Sequence, residues 1–389
     1  MLFRFIVFIS FVSVFFSCSG NSIVSNKKRE KISKVPIDTS RILISKQPEI
    51  DSNLTNFALS IGGYSNSFLV NRKFSSSYAA KVNASFSSFT NTKINPIKKW
   101  VKTNKMIPEQ YNSKTLFYPF AGADFVYANS FFNDVDNYIM VGLEGPGSLP
   151  DYTKMTNQQL DVYFHQIFAS LNASMRSGFF LTKDMAVQFK QKEINGTIHS
   201  LLFYLARTNH RVISIKHFAL DSLSKPVYSA FKGVNTPGIH IQVFDEKNRV
   251  KNIYYYKTDL SNFNPNLTKL TSWVNSFGSH HLMLKAASYL NFSESFSKIR
   301  NYLLTSSNLI VQDDSGIPYR FLASSDWDLK LYGGYKRVIN LFANKIQPAL
   351  VLAYKDSTKL ISPKLPFNIG YNVAVGETNL QVAYKKSKK

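Results

Sequence analysis

Two hydrophobic rhythms alternate along this chain. Short, continuous apolar runs at Lys114 to Phe120 and Tyr138 to Leu143 have the length of strands buried on both faces. Between them lie a turn, Ala121-Gly122-Ala123-Asp124, and a short helical stretch, Phe125 to Phe132. A strand, helix, strand unit of this kind predicts parallel neighbours in one sheet. Elsewhere apolar residues recur every three or four positions. Phe74, Tyr78, Val82, Phe86, Phe89, Ile97 and Trp100 predict an amphipathic helix that Pro96 should kink or break. Leu160, Phe164, Ile167, Phe168 and Leu171 form one stripe of a helix over Asn157 to Leu171. Thr197 to Arg207 predicts another helix, closed by Asn209-His210 and followed by a strand from Arg211 to Leu220.

Further on, strands prevail. His240 to Phe244 and Asn252 to Tyr256, joined by residues 245–249, predict a hairpin. Helices are expected around Lys269 to Phe277 and from Glu294 to Leu304. A strand from Leu309 to Gln312 should end at Asp313-Asp314-Ser315-Gly316, and Asn368 to Ala374 with Asn379 to Tyr384 should form a closing hairpin around Gly376-Glu377-Thr378. The expected fold is therefore α/β: a Rossmann-like parallel or mixed sheet with added antiparallel hairpins toward the C-terminus. No repeat and no clean linker interrupt residues 53–389, which predicts a single mixed α/β domain.

The N-terminus follows other rules. A short cationic start, an apolar run from Phe5 to Phe16 and the small residues Ser17-Cys18-Ser19-Gly20 have the layout of an export signal. The run is about 12 residues, against roughly 20 for a membrane-spanning helix. Phe15-Phe16-Ser17-Cys18 resembles the lipobox of bacterial lipoproteins, although Phe15 stands where Leu is usual. That resemblance implies cleavage after residue 17 and lipidation of Cys18, the only cysteine, whose thiol is the nucleophile such chemistry needs. Ser19 after the cysteine resembles lipoproteins sorted to the outer membrane, facing the periplasm. Residues 18–52, rich in Ser, Lys and Asn with Pro36 and Pro48, read as a flexible tether.

Charge matters once export is on the page. The net charge of +23 would ordinarily raise nucleic acid as a partner. Export removes nucleic acid and leaves the membrane, reached through the lipid anchor, and anionic envelope components as candidate partners. Lys27-Lys28-Arg29-Glu30-Lys31 and Lys385-Lys386-Ser387-Lys388-Lys389 are the densest basic clusters, suited to anionic headgroups.

Candidate chemistry gathers at strand ends. Gly122 lies 22 positions before Glu144 (144 minus 122), a layout that resembles a dinucleotide or adenosylmethionine fold, where glycine admits the ligand and an acid near that spacing binds ribose hydroxyls. The turn has a single glycine, and Asp124 would repel phosphate while capping the helix, so it also reads as purely structural and no cofactor is expected. Asp313 and Asp314 could hold a cation or act as an acid/base pair. Neighbours on a strand point opposite ways, however, and the preferred reading is a turn with Asp314 as capping acceptor and Gly316 left-handed. His280-His281 lacks metal-ligand spacing and reads as partly buried polar surface, so no metal site is expected. Gly122, Asp124, Glu144, Asp313 and Asp314 are thus the candidate ligand-site residues, in the crevice beyond the strand ends.

Residues 118–125 (Tyr-Pro-Phe-Ala-Gly-Ala-Asp-Phe), 312–320 (Gln-Asp-Asp-Ser-Gly-Ile-Pro-Tyr-Arg) and 327–333 (Trp-Asp-Leu-Lys-Leu-Tyr-Gly) are similar to a family of uncharacterised exported bacterial proteins. The resemblance runs from about Asn53 to the end and implies no established activity. A binding or scaffolding protein of the envelope is the expectation; an envelope enzyme using the strand-end carboxylates is the alternative.

Overall fold

The computed structural model describes residues 48–64, 76–177, 195–228, 236–371 and 377–387. The expectations for the signal, Cys18 and most of the tether lie outside the described residues, as does Phe74. Pro48–Lys389 forms one compact unit. Its first helix, α1 (Ser52–Ile61), is capped by Asp51, whose carboxylate accepts from Leu54 N at 2.9 Å, so the folded part reaches into the stretch expected as tether.

Eleven strands make one mixed sheet. Five parallel strands occupy its centre, in the spatial order β8 (Ser307–Gln312), β7 (His280–Leu284), β1 (Thr115–Tyr118), β2 (Asn137–Gly142) and β6 (Val250–Lys257). Ranked along the chain, that is the 3-2-1-4-5 order of doubly wound folds, with the reversal between β1 and β7. Antiparallel strands flank this centre. β5 (Gly238–Phe244), β3 (Arg211–Leu220) and β4 (Pro226–Tyr228) extend the β6 side. On the other side β11 (Asn379–Lys385) runs antiparallel between β8 and β9 (Trp327–Gly333), and β10 (Leu360–Ser362) ends the sheet.

Alternate side chains of a strand face opposite ways, so continuous apolar strands feed two cores. Leu116, Tyr118, Tyr138 and Met140 join the core beneath α1, α2 (Ser76–Phe89), α3 (Asn95–Thr103), α4 (Phe125–Phe131), α5 (Asn157–Ser177) and α6 (Ile198–Arg207). Phe117, Ile139 and Val141 join the opposite core, with α7 (Leu267–Asn275) and α8 (Ser297–Ser306). The helix expected to break at Pro96 instead widens just before it, in a π-turn at Thr90–Ile94, and Pro96 falls in the first turn of α3. A proline is tolerated there because that N–H has no intrahelical partner.

Three local expectations are corrected. His280 and His281 are not surface residues: β7 is covered on both faces, both rings are buried, and burial pushes each imidazole down to about 4. β11 takes both neighbours from β8 and β9 rather than pairing with residues 368–374, of which 372–374 lie outside the described residues. With Leu380, Val382 and Ala383 all buried, it needs an interior place in the sheet. Lys385 belongs to this strand rather than to a free basic tail, and its Nζ donates to Leu304 O at 3.0 Å.

Candidate functional site

A crevice of about 220 Å³ opens at the carboxyl ends of β1, β2, β6 and β7, where the strand order reverses. Strands diverge to neighbours on opposite sides at such a point and leave a hollow. Gly122, Asp124 and Glu144 all line it; Asp313 and Asp314 do not.

Asp124 stands at the start of α4, yet its side chain makes no capping bond. It faces inward, accepting from Tyr118 OH at 2.7 Å and pairing with Lys285 Nζ at 2.8 Å. Burial pushes its carboxyl above the usual range, opposed by the Lys285 charge and the Lys285 and Tyr118 hydrogen bonds. Lys285 follows β7, hydrogen-bonded neighbour of β1, and its ammonium also lies 4.0 Å from the Tyr127 ring centroid. Magnitudes explain the departure from capping. A lost cap costs about 0.5–2 kcal/mol, whereas an uncompensated buried charge costs about 3–5 kcal/mol. Asp124 therefore serves the buried lysine. The turn itself holds Phe120 at φ +60° and Gly122 at φ +53°.

Glu144, two residues beyond β2, is half-buried. Burial raises its pKa, while hydrogen bonds from the backbone at Glu144 and Leu143 and the Lys257 charge oppose the rise. Below it, Tyr255 OH donates to Glu144 O at 2.9 Å. A Cβ on Gly142 would lie 2.4 Å from that phenol oxygen, so only glycine lets the tyrosine support this wall.

Asp313 and Asp314 shape the crevice from behind. Asp313 accepts from Ala286 N at 2.9 Å and Ser315 N at 3.0 Å, and Ser315 Oγ accepts from Ala287 N at 2.8 Å. Asp314 accepts from Asn379 Nδ2 at 2.8 Å and Tyr289 OH at 2.5 Å. The turn acceptor is thus Asp313 and not Asp314. Gly316 is not left-handed either: glycine is needed because a Cβ would lie 2.5 Å from Gln312 Oε1, whose amide clasps Ile317. Together these groups brace residues 285–289, where Ala286, Ser288 and Tyr289 all have φ between +50° and +54°. Left-handed backbone costs roughly 1–2 kcal/mol per residue and persists only when surroundings enforce it. Tyr371 OH adds a bond to Ala286 O at 2.7 Å, and the absent side chain of Gly370, at φ +72°, leaves room for Asp313. Burial, then the neighbouring Asp313 charge, pushes Asp314 up to about 7, and burial also raises Asp313.

Two lining residues escaped the reading of the sequence. Lys285 directly follows a short strand masked by its two leading histidines; a lysine right after an apolar run was the available signal. Asp259, just past β6, lines the crevice and accepts from Ser261 N at 2.9 Å. With Asp124 neutralised by Lys285, Glu144 and Asp259 leave the mouth acidic. Among the described residues no group of three or more His, Cys, Asp or Glu side chains could hold a metal ion, and no helix is long and apolar enough to cross a membrane. No protein-family model, curated protein or solved structure matches this chain.

Proposed function

We propose that this protein is a lipid-anchored lipoprotein of the bacterial envelope that binds a small, hydroxyl-bearing, phosphate-free ligand in the crevice. The carrying observation is the convergence of Gly122, Glu144 and Asp259 over the Asp124–Lys285 pair at the switch point. A carboxylate at the end of the second parallel strand suits a vicinal diol, as in ribose or a sugar. Phosphate is disfavoured, because the buried Lys285 is already paired with Asp124 and the mouth carries two further carboxylates, Glu144 and Asp259. Export and anchoring rest on the signal-like N-terminus with its lone Cys18 and on the resemblance of residues 118–125 and 312–320 to exported proteins.

A second reading is favoured by one observation. An antiparallel final strand, β11, inserted beside the fifth parallel strand is the arrangement of adenosylmethionine-binding folds. That ligand has a diol, a cationic sulfonium and no phosphate, and the domain would then be a group-transfer enzyme.

Thermal shift and calorimetry against monosaccharides, adenosine, adenosylmethionine, ATP and NAD should show binding of a phosphate-free ligand. Glu144→Gln should weaken it at least tenfold, about 1.4 kcal/mol. Adenosylmethionine bound in preference to adenosine and the sugars would select the second reading; tighter binding of ATP or NAD would overturn both. For the anchor, intact-mass spectrometry of the membrane fraction should find a chain beginning at diacylglyceryl-Cys18, and a soluble mature chain beginning elsewhere would refute it.

A further inference from the structure

A separate groove lies at the far edge of the sheet. One hollow of about 930 Å³ runs between the ends of β9 and β11, the helix Pro348–Ala353 and residues 363–368. A second, of about 500 Å³, runs along the π-turn and α3. Pro366 borders both, and the π-turn contributes Thr92 to one and Asn91 to the other, so the two hollows adjoin and are taken together as one trough. π-turns of this kind recur at functional sites because they displace side chains from the regular helical face.

The trough is unusual in its charge. Lys336, Lys355 and Lys364 line the larger hollow and Lys99 the smaller, all exposed, and among the described residues no carboxylate lines either. Among the described residues none of these four ammonium groups lies within ion-pair distance of a carboxylate. Some cations of the fold are paired, Arg249 with Asp134 and Asp245, Arg300 with Glu294 and Lys251 with Asp136. Like charges around adjoining hollows raise the local potential and concentrate counter-ions there. Neutral hydrogen-bonding groups accompany them, Asn91, Asn95, Thr103 and Asn104 beside Lys99 and Thr92, Asn368 and Thr378 beside the other three, with Trp100 and Phe367 in the lining.

We propose that this trough binds an acidic polysaccharide, the lysines meeting its carboxylates and the amides and hydroxyls its sugar hydroxyls. Among the described residues no arginine lines the trough, and arginine is the residue that reads phosphate bidentately and stacks on bases. The choice of polysaccharide over nucleic acid rests also on the proposed export, while the site itself is independent of the crevice.

The test compares the full-length protein in detergent with two triple variants of equal charge change. One is Lys336→Gln/Lys355→Gln/Lys364→Gln in the trough. The other is Lys114→Gln/Lys225→Gln/Lys247→Gln, at exposed sites outside it. Probes are polygalacturonate, neutral dextran and double-stranded DNA at 50 and 300 mM salt. The trough variant should bind polygalacturonate at least tenfold more weakly than wild type and the control variant less than twofold, with dextran unbound. Equal losses in the two variants would reduce the effect to diffuse charge and overturn the site. DNA bound more tightly than polygalacturonate through the same three lysines would overturn the polysaccharide assignment and, with it, the support from export. Absence of polygalacturonate binding to wild type would overturn the proposal outright. Both variants should keep wild-type unfolding midpoints, since the substituted side chains are exposed.

Discussion

Replacing Lys285 with methionine should destabilise the folded protein by about 3–5 kcal/mol, the usual result of removing one partner from a buried ion pair. Methionine preserves most of the side-chain length, so the loss is electrostatic rather than a cavity. Asp124 would keep Tyr118 as a donor and only the more distant charge of Lys93, whose own pKa is lowered by burial and by Lys285 and raised by Asp124. Urea denaturation of wild type, Lys285→Met, Asp124→Asn and the double variant measures the pair directly. The double variant should recover part of the loss, because the amide needs no counter-charge. The deficit of Lys285→Met should also shrink at low pH. Without the lysine, the folded-state pKa of Asp124 rises further above its unfolded value. A raised carboxylate favours folding most below the unfolded pKa and loses that contribution as pH rises through the folded one. A deficit below about 1 kcal/mol, or one that grows on acidification, would mean that Asp124 does not depend on Lys285.

Asp314→Asn should stabilise the protein relative to wild type at pH 8 and lose that advantage near pH 5. In the folded state Asp314 is raised from 3.8 to about 7 by burial and by Asp313. Its contribution to stability is present below about 4 and is lost as pH rises through about 7. The shift sets an upper bound of about 4 kcal/mol, which belongs to the coupled Asp313–Asp314 pair rather than to Asp314 alone. Asparagine keeps the shape and can still accept from Asn379 and donate to the Tyr289 oxygen. The wild-type profile alone is a poor measure. Four buried histidines, His199, His210, His280 and His281, are depressed to about 3 or 4 and therefore lose stability on acidification through their unfolded value of 6.5, opposite in sign to Asp314. Subtracting the two melting profiles cancels the histidines. An unchanged difference between pH 5 and 8 would show that Asp314 does not titrate in this window.

The crevice was partly legible in the sequence because its first half is local. Gly122, Asp124 and Glu144 belong to one strand, helix, strand unit whose parallel pairing follows from continuous apolar runs, and a doubly wound fold puts its site at the ends of such strands. Asp124 was recognised as a site residue but given the wrong partner. Capping depends on sequence neighbours, whereas Lys285 is 161 positions away (285 minus 124) and meets it only because β7 lies beside β1.

The α/β class, the β1–β2 unit, the β5–β6 hairpin and most helices follow from the chain read alone, since each rests on the period of nearby apolar residues and on the cost of burying unpaired backbone. The strand order across the reversal, the place of β11 between β8 and β9, and the separate roles of the acids emerge only in the folded molecule. Glu144 and Asp259 face the crevice, while Asp313 and Asp314 brace the left-handed segment that forms its wall. Strand pairing and buried charge compensation are contacts between distant segments, invisible to any local pattern. A carboxylate becomes a ligand group or a structural one according to which remote donor reaches it first.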